Sequence, residues 1–250
     1  DTHDPLGMDN PHGDGWWHPH MGVPIYSVPY RSLYSADIPN LFLGSRCESM
    51  SHIALGSMRV QGTQMAAGQA VGTAAALCLK KGVSNRELGA RHIRELQQLL
   101  LKDDQYIPQL PNADPADLAR AASCTDPAVV DGVARPVGDT YHGWISQGAL
   151  PQGVTLTFGK PTAVGEVRLV FDSDLTPMRV RERMPAKLVR QYAVEALVGE
   201  KWVKVAEERE NFLRHRIHRF ATCEASAVRV NVQATWGDPS ARIFEIRIYR

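Results

Sequence analysis

The sequence predicts a chain of two parts, an α/β part followed by an all-β part. Residues 62–79, GTQMAAGQAVGTAAALCL, carry three glycines and no charge, which is typical of a helix in tight packing. After residue 150, apolar and polar residues alternate in short segments, which is the pattern of half-buried strands. The stretch KDDQYIPQLPNADPADLARAAS, rich in proline and aspartate, lies between the two patterns, so we expect domains at residues 1–111 and 112–250.

The near balance of positive and negative charge limits the classes of partner that the chain is expected to bind. The 250 residues include 28 Lys and Arg against 27 Asp and Glu, so a basic surface for nucleic acid or for an acidic membrane is not expected. The uncharged run is shorter than the roughly 20 apolar residues of a membrane span, and Gln64, Gln69 and Thr73 interrupt it. We therefore expect a small-molecule substrate, no nucleic-acid partner and no membrane partner.

The four cysteines provide no framework of their own. Cys47, Cys78, Cys124 and Cys223 lie far apart without CxxC spacing, so neither a zinc knuckle nor a dense set of disulfides is predicted. Cys124 and Cys223 fall in one domain and could meet, although two separate thiols is the favoured interpretation.

A strand is predicted early in the first part. Residues 1–40 are rich in Gly, Pro, His and Trp and predict an ordered loop, since aromatic side chains need something to pack on. The apolar run 41–43 next to Gly44 suits a buried strand, and a loop is expected from residue 46 to about 61.

Two helices are predicted after this loop. The uncharged run should form a helix over about 63–81, because lysines suit the last turn and Gly82 suits the position beyond it. A second helix should run over about 84–101, with Ser84 and Glu87 as a capping box.

The second part predicts an antiparallel sandwich, since short strands alternate with Gly and Pro turns and no helical stretch intervenes. In the last strand, Phe244, Ile246 and Ile248 are expected to face the core, while Glu245 and Arg247 face solvent. The predicted strands are 154–158, 166–171, 192–197, 201–206, 227–232 and 242–249, with the basic stretch 210–220 as an edge strand.

The layout of the first part also suggests a site. A strand that ends in glycine, a loop and a glycine-rich helix start are the arrangement found at the carboxyl edge of an α/β sheet, where ligands bind. The first turn of such a helix offers unpaired N–H groups to an anion. Gly68 and Gly72 lie on one helix face and would let a backbone or a flat ring approach closely. Close helix packing without a ligand is the alternative interpretation.

The segment VPYRSLYSADIPNLFLGSRCESMSHIALGSMRVQGTQMAAGQAVGTAAAL resembles the carboxyl-terminal cofactor segment of the FAD-dependent oxidoreductase family. In that family PYRSL, NL..GRC.S, A.GS.R and GQAAGTAAA recur in this order, so the resemblance is specific. The departures are small: GSRC lengthens the GRC spacing by one residue, and Val71 stands where Ala is common. The resemblance implies FAD as the cofactor and a Rossmann-like FAD-binding domain, of which this would be the carboxyl-terminal part.

The resemblance further implies a set of cofactor contacts. Residues 44–47 would close the end of the FAD site after the strand and pass beside the flavin ring. Residues 68–70 would lie near the helix start and direct their amides at the pyrimidine edge of the flavin. Because a reduced flavin carries negative charge there, a helix start at that place would help hydride acceptance. The implied residues are Gly44, Ser45, Arg46, Cys47, Gly68, Gln69 and Ala70.

A flavoenzyme of this class carries the dinucleotide fingerprint GxGxxG near its amino terminus, and this sequence has none. The opening residues also contain no initiator Met and no element of their own. We therefore expect the chain to be a carboxyl-terminal half, with the missing amino-terminal part of the same protein as its partner in FAD binding.

Four residues are candidates for catalysis: His52, Arg59, His18 and His20. His52 and Arg59 lie within the flavin-proximal motif, where Arg59 could clamp a substrate anion or flavin charge. A histidine beside the flavin could remove a hydroxyl proton while hydride leaves the carbon. His18 and His20 could instead pack a loop, and no third ligand follows at suitable spacing, so no metal is predicted. Cys47 could attach flavin covalently, although a small apolar filler is the favoured interpretation.

The stretch ASCTDPAVVDGVARPVGDTYHGWISQGALPQGVTLTFGKPTAVGEVRLVFDSDL, followed by RIFEIRIY, resembles a galactose-binding-like, discoidin-type jelly roll. The resemblance implies that Trp144 fills the core and that loop aromatics bind sugar or loop carboxylates hold Ca²⁺. Asp126, Asp131 and Asp139 would be candidate ligands, although solvated turn residues are the favoured interpretation.

The predicted protein is thus the carboxyl-terminal part of a Rossmann-like FAD-binding domain followed by an antiparallel jelly-roll sandwich. The predicted function is that of an FAD-dependent oxidoreductase that transfers hydride from a substrate C–H to FAD, with a sugar or glycoside alcohol as the candidate substrate. The alternative is a non-catalytic sandwich module that binds carbohydrate or another ligand, with the helical part as a docking segment.

Overall fold

The computed structural model describes residues 24–174 and 184–250. The chain divides into two compact units, one ending at Gln109 and the other running from Leu110 to Arg250. Each unit is described by itself. His18 and His20 lie outside the described residues, so their roles stay predictions.

Helices make up the described part of the first unit. A helix appears where a loop was expected after residue 46: Ser51 begins it, and its Oγ accepts from the amide of Ala54 at 3.3 Å. In the residues that the structure describes, no helix has both the length and the apolarity needed to cross a bilayer. The elements are a 3-10 helix at Tyr30–Leu33, α1 at His52–Met58, α2 at Gln61–Lys81, α3 at Asn85–Arg91 and α4 at Ile93–Lys102.

Helix α2 ends where the sequence predicts and starts two residues earlier. Gly82 follows it in the left-handed conformation, with φ of 65°, and its amide bonds to the carbonyls of Cys78 and Leu79. A residue with a Cβ would be strained at this φ, so the glycine is what ends the helix cleanly.

The predicted second helix is two helices. Helices α3 and α4 meet at His92, whose φ of −129° and ψ of 13° are not helical. The predicted capping box is present, since Ser84 Oγ accepts from the Glu87 amide at 3.3 Å and Glu87 Oε2 accepts from the Ser84 amide at 2.9 Å. Local capping was therefore predictable, and the break at His92 was not.

The apolar run 41–43 forms a single antiparallel bridge rather than a strand. Phe42 pairs with Tyr34, the amide of Leu43 donates to the carbonyl of Leu33 at 2.8 Å, and the amide of Ser35 donates to Leu41 at 3.0 Å. The run thus pairs with the segment that directly follows the 3-10 helix, and no longer strand accompanies it in the described residues.

The core of the first unit forms between one face of α2 and the two following helices. Ala74 and Leu88 are fully buried, and small side chains on α2 let the helices approach closely. The buried members are Leu33, Ala67, Ala70, Ala74, Leu77, Leu88, Leu96 and Leu100.

The second unit is an antiparallel sheet whose strands run in the spatial order β2-β7-β3-β6-β4-β5, with β1 paired to β3. Two predicted strands and the GKP turn between them are one continuous strand, β3, with register shifts near residues 157–162 and 164–166. The bounds are β1 Ser123–Cys124, β2 Trp144–Ile145, β3 Gln152–Phe171, β4 Val189–Val198, β5 Lys201–Glu208, β6 His215–Thr235 and β7 Arg242–Tyr249.

The sheet folds over on itself into two layers. Tyr192 lies opposite Val232, which lies opposite Gln152 at the start of β3. A straight strand would hold Gln152 and Phe171 roughly 60 Å apart, yet the rings of Phe171 and Tyr192 are 5.0 Å apart. Strands β3 and β6 therefore bend at their bulges and belong to both layers, which is the antiparallel sandwich that the sequence predicts.

The last strand is buried on both faces, which corrects the sequence prediction. Glu245 and Arg247, expected in solvent, are 1% and 3% exposed, and they pair with each other at 2.9 Å. A register shift opposite Phe171 moves Ile243 into the core with Ile246. Phe244, expected in that core, instead stacks on Tyr141 with ring centroids 5.1 Å apart.

The basic stretch forms an edge, as predicted. Residues 215–225 of β6 pair with β3 alone, because β4 pairs only with residues 227–235. Ile217 and Arg219 are exposed, whereas His218 between them is partly buried.

Candidate functional site

The loop after the bridge packs directly on α2. A Cβ built on Gly44 would lie 3.3 Å from Val71 Cβ, and one built on Gly68 would lie 3.9 Å from the Gly44 carbonyl oxygen. A Cβ at position 44 would be in tight contact with the branched Val71 side chain, which would have to shift slightly. The structure therefore brings together Gly44 and Gly68, two residues that the sequence assigned to one cofactor site.

The start of α2 is open. Val60 precedes it without a side-chain cap, and the first turn contains no acidic residue. The Arg46 guanidinium lies at this start and donates to the carbonyl of Arg59 at 3.4 Å. We call residues 44–48 and 58–64 the α2-start corner. Unpaired amides together with an arginine favour a negatively charged or carbonyl-bearing group.

The amides that can serve such a group differ from those that the sequence suggested. Gly68, Gln69 and Ala70 lie in the third turn of a helix that begins at Gln61, so their amides bond within the helix. The amides without helical acceptors belong to the first turn, from Gln61 to Thr63. Gln69 directs its side chain elsewhere, to the carbonyl of Asp103 at 3.4 Å.

Two polar side chains of the corner hold buried oxygens without a hydrogen-bond partner in the described residues. Glu48 is 5% exposed, and neither of its carboxyl oxygens is paired. Gln64 donates through Nε2 to the Met58 carbonyl, while its Oε1 is buried and unpaired. Burial raises the pKa of the Glu48 carboxyl above its ordinary value. Such oxygens are costly without a partner, so the corner has unused hydrogen-bonding capacity.

The remaining predicted residues of this region lie on or near the surface. His52 is the first residue of α1 and is exposed, and Arg59 follows α1 half-buried. Ser45, Arg46 and Cys47 are exposed, and the Cys47 thiol is free. These groups are therefore accessible to a ligand placed against the corner.

In the second unit, the loops at one end of the sandwich are tied together. The side chain of Asn211 is fully buried and donates to the carbonyls of Val189 at 2.8 Å and Leu213 at 3.0 Å. Trp236 Nε1 donates to the Asn211 carbonyl at 2.7 Å. The neighbouring Phe212 is 64% exposed. This loop thus presents an aromatic ring to solvent from a fixed backbone.

The predicted carboxylates of this unit serve the backbone. Asp126 accepts from the Ala128 amide at 3.1 Å, and Asp131 accepts from the Val133 amide and contacts His142 Nδ1 at 2.6 Å. Asp139 is exposed. Across residues 24–174 and 184–250, no three His, Cys, Asp or Glu side chains are placed to hold a metal ion. Trp144 is 8% exposed and belongs to the core, as predicted.

The free thiols agree with the sequence interpretation as well. Cys124 lies opposite Leu156 and Cys223 lies opposite Val164, and all four cysteines are unpaired. No disulfide constrains either unit in the described residues.

Comparison with known proteins places the first part of the chain in context. Residues 1–100 match a family model. Its description is FAD dependent oxidoreductase. The match covers the region that carries the PYRSL, GSRC and GQAVGTAAA motifs, and it confirms the resemblance that those motifs indicated. No curated protein matches the chain.

Solved structures are similar to the second part. A family 32 carbohydrate-binding module from Streptococcus pneumoniae EndoD is 15% identical, over 54% of this chain and 99% of that module, with a TM-score of 0.45. A chitosan-binding module from a Paenibacillus sp. IK-5 chitosanase/glucanase is 19% identical, over 54% and 98%, with a TM-score of 0.40. The family 32 module of Clostridium perfringens NanJ, solved with galactose, is 21% identical, over 54% and 98%, with a TM-score of 0.41.

Sequence reasoning missed three residues of these sites. Glu48 lies among polar residues in RCESMSH, which is the pattern of a surface loop. Gln64 lies within the predicted helix, where polar side chains commonly face solvent, so the sequence did not indicate its burial. Phe212 is the only aromatic residue in the charged stretch EERENFLR, residues 207–214, and that isolation was a usable signal.

Proposed function

We propose that the chain is the carboxyl-terminal portion of a flavoenzyme that transfers hydride from a substrate C–H to FAD. The observation that carries the proposal is the α2-start corner, where an uncapped helix start, the Arg46 guanidinium and the Gly44 loop meet in the region matched by the FAD family model. Buried oxygens without partners at Glu48 and Gln64 fit a polar ligand that supplies hydrogen-bond donors.

The residues of the corner would hold the cofactor by position and charge. The loop at Gly44, Ser45, Arg46 and Cys47 would lie along one edge of it, and the first-turn amides of α2 would donate to its carbonyl or anionic edge. Gly68 has no side chain and would leave space for the cofactor beside Gly44. Gln69 and Ala70 would line the helix surface next to it. When bound, FAD would supply the hydride acceptor.

The chemistry of this chain's own residues would be proton transfer and orientation. His52, exposed at the start of α1, would accept the proton of a substrate hydroxyl. Arg59 would hold an anionic group of the substrate or balance negative charge on the cofactor. His18 and His20 remain further candidates for the same proton transfer. A sugar or glycoside alcohol is the proposed substrate class.

In this proposal the two domains have different roles, and FAD binding requires a further polypeptide segment. Residues 1–111 would contribute to the FAD site, and residues 112–250 would form an accessory domain. Because the sequence has no GxGxxG, the nucleotide part of FAD would be bound by a further polypeptide segment, the amino-terminal part of the same protein.

Cofactor content tests the proposal directly. The chain is expressed together with the segment that carries the fingerprint, and the visible absorbance of oxidised flavin is measured after purification. Stoichiometric flavin is expected. In the same protein, Arg46→Met should lower flavin retention by about tenfold, as expected for loss of one charge-assisted contact of 1.5 kcal/mol or more, whereas Arg94→Met on α4 should not. A protein that purifies without flavin contradicts the proposal.

A second function is favoured by one observation in the sandwich. Phe212 is 64% exposed on a loop that Asn211 fixes, and Arg209 beside it is also exposed. A flat apolar ring next to charged groups suits the CH face and the hydroxyls of a sugar. The sandwich would then be a carbohydrate- or ligand-binding module, with or without catalysis by the first part.

A glycan array probed with the full chain tests this second function. Binding to at least one glycan is expected for the wild type, with a loss of tenfold or more for Phe212→Ala. Val203→Ala, which truncates another exposed apolar residue on β5, is the matched control and should bind as the wild type does. If no glycan is bound, or if both variants bind equally well, the sandwich is not such a module.

A further inference from the structure

Glu48 is a buried acidic residue whose carboxyl group has no hydrogen-bond partner in the described residues. It is 5% exposed, and both of its carboxyl oxygens are covered and unpaired. Every other acidic residue that the structure describes in the first unit is at least partly exposed. Burial of an ionised carboxyl without a partner is costly, so the state of this group depends on whether it carries a proton.

The backbone holds Glu48 in place from two sides. Its amide donates to the Ser45 carbonyl at 2.9 Å, which closes a turn. The amide of the next residue, Ser49, donates to the Ser32 carbonyl on the 3-10 helix at 3.0 Å. The burial of the carboxyl therefore follows from how the α2-start corner is folded.

No positive charge compensates Glu48 within the part of the chain that the structure describes. Arg46, two residues earlier, is exposed, and its guanidinium donates to the Arg59 carbonyl at 3.4 Å. Helix α2 contributes no charge before Lys80. Burial therefore raises the pKa of the Glu48 carboxyl, and no neighbouring cation offsets this. The titratable groups on the loop, on and directly after the 3-10 helix, and on and directly after α1 are Tyr30, Arg31, Tyr34, Arg46, Cys47, His52 and Arg59.

The acid at this position is a feature of this chain. Glu48 stands between Cys47 and Ser49, at the position that the motif NL..GRC.S leaves open. A glutamine would have nearly the same shape without a charge, and an apolar residue would avoid the cost of desolvation. A buried acid with a raised pKa and no structural partner is suited to link proton uptake to a charge that appears nearby.

Such a charge is expected at the α2-start corner under the proposed function. A hydride acceptor bound there gains negative charge when it is reduced. A negative charge in a site with little water raises the pKa of a nearby carboxyl. Linkage makes the effect reciprocal, because a protonated and therefore neutral carboxyl lowers the cost of the added negative charge by the same factor.

We propose that Glu48 is the proton-holding residue of the α2-start corner, and that its carboxylate takes up one proton from solvent when the cofactor bound there is reduced. The proposal rests on the proposed function and makes that site sensitive to pH. The substrate carbon loses a hydride to the cofactor, and the substrate hydroxyl loses its proton to His52. The proton on Glu48 comes from solvent and balances one negative charge. Glu48 is thus a positioning residue that acts through its charge.

The pH dependence of stability tests the titration of Glu48 on the chain itself. The folded chain keeps a proton that the unfolded chain releases above its ordinary pKa of 4.5, so the stability of the wild type falls as pH rises from that value. Glu48→Gln should gain stability relative to the wild type over this range, by about tenfold in the folding equilibrium constant for each unit by which the pKa is raised. Urea unfolding, followed by hydrogen exchange of peptides from the first unit, measures this.

Asp37→Asn is the matched control for the stability profiles. It removes a carboxyl that is exposed in the same unit, so its profile should follow that of the wild type. If the profile of Glu48→Gln also runs parallel to that of the wild type, Glu48 has an ordinary pKa and the proposal is overturned.

The reduction potential of the bound cofactor tests the coupling. It is measured against reference dyes, over the same pH range, in the protein assembled with the segment that carries the fingerprint. Where Glu48 takes up its proton, the wild-type potential should fall more steeply with pH than that of Glu48→Gln. The extra proton for two electrons changes the equilibrium constant tenfold per pH unit, which is about 30 mV. Asp37→Asn should show the wild-type slope.

The outcomes separate this proposal from the proposed function. If flavin is bound and the slopes of the wild type and Glu48→Gln are equal, the function stands and the role of Glu48 is overturned. If the assembled protein contains no flavin, the proposed function fails and the coupling fails with it, whatever the stability profiles show.

Discussion

The two units differ in how many of their large apolar side chains they bury. In the sandwich, Leu156, Tyr192 and Ile246 are fully buried between the two layers. In the helical unit, Met65 and Leu79 are 75% and 86% exposed on α2, which carries no charge before Lys80. The sandwich thus places large apolar side chains in a core between its own two layers, whereas α2 leaves large apolar side chains in contact with solvent.

The largest expected effect lies in the sandwich core. Ile246→Ala removes a fully buried side chain and should lower the free energy of unfolding by about 2–5 kcal/mol. Leu79→Ala truncates an exposed side chain on α2 and should change it by less than about 0.5 kcal/mol. Chemical unfolding of the full chain, followed by hydrogen exchange of β7 and α2 peptides, measures both. Equal effects would mean that α2 is already covered.

A smaller effect is expected where the loop meets α2. Gly44→Ala places a Cβ 3.3 Å from Val71 and should cost about 1–3 kcal/mol from overpacking. Val71→Ala removes the opposing atoms, so the double variant should recover most of this loss. A double-mutant cycle on the thermal unfolding of the first unit isolates the coupling between the two positions. Additive effects would show that the loop does not rest on Val71.

The sandwich also contains a group whose effect depends on pH. His218 Nε2 lies 2.8 Å from the Tyr192 hydroxyl, and burial, then the nearby Arg216, lower the pKa of His218, while Glu208 opposes them. At high pH the His218 imidazole is neutral in both the folded and the unfolded state, so it does not change the free energy of unfolding. Below its unfolded pKa of about 6.5 the unfolded chain gains a proton that the folded chain resists, so stability falls as pH falls.

The size of this effect is about 1.4 kcal/mol for each unit by which the pKa is lowered. Denaturant titrations at pH 7.5 and 5.5 compare the wild type with His218→Gln. In this variant, the side chain at position 218 does not titrate in this range. The loss of stability on acidification to pH 5.5 should be smaller in the variant by up to about 1.4 kcal/mol, because pH 5.5 lies one unit below the unfolded pKa. An equal loss in the two proteins would place the acid sensitivity elsewhere.

The smallest expected effect concerns the glycines of α2. Gly72→Ala should raise the stability of the isolated chain by about 0.5–1 kcal/mol, because alanine favours the helix and its Cβ meets no atom. Gly82→Ala should lower stability instead, since position 82 has φ of 65°. Thermal unfolding of the two variants should therefore show shifts of opposite sign. A destabilising Gly72→Ala would indicate that its face is covered within the unit.

The elements that the sequence predicted well depend on local signals. The end of α2 at Gly82 and the capping box of Ser84 and Glu87 require only neighbouring residues, and period-two alternation located β4, β5 and β7. The elements that differ depend on distant contacts. Strand β3 continues through Gly159 and Pro161 because β6 pairs on both sides of them, and no local pattern reports that pairing.

The candidate site shows the same division. The family resemblance assigned Gly44 and Gly68 to one cofactor site, and the structure places the loop at Gly44 beside α2 at Gly68. The helix start was misplaced, because Val60 carries no capping side chain to signal it. The burial of Glu48, Glu245 and Arg247 could not be predicted, since a charged residue in an alternating or polar stretch normally faces water.

The antiparallel pairing of β3 with β6 has a consequence for how the sandwich unfolds. Since each of these strands contributes to both layers, neither layer can be released while the other stays intact. Opening of this unit should therefore be all-or-none, with its slowest-exchanging amides sharing a single protection factor. The described residues of the helical unit form no such shared strands. Their amides should therefore exchange in separate openings of lower free energy. One chain would then contain a cooperative foldon and a second part that opens in separate steps.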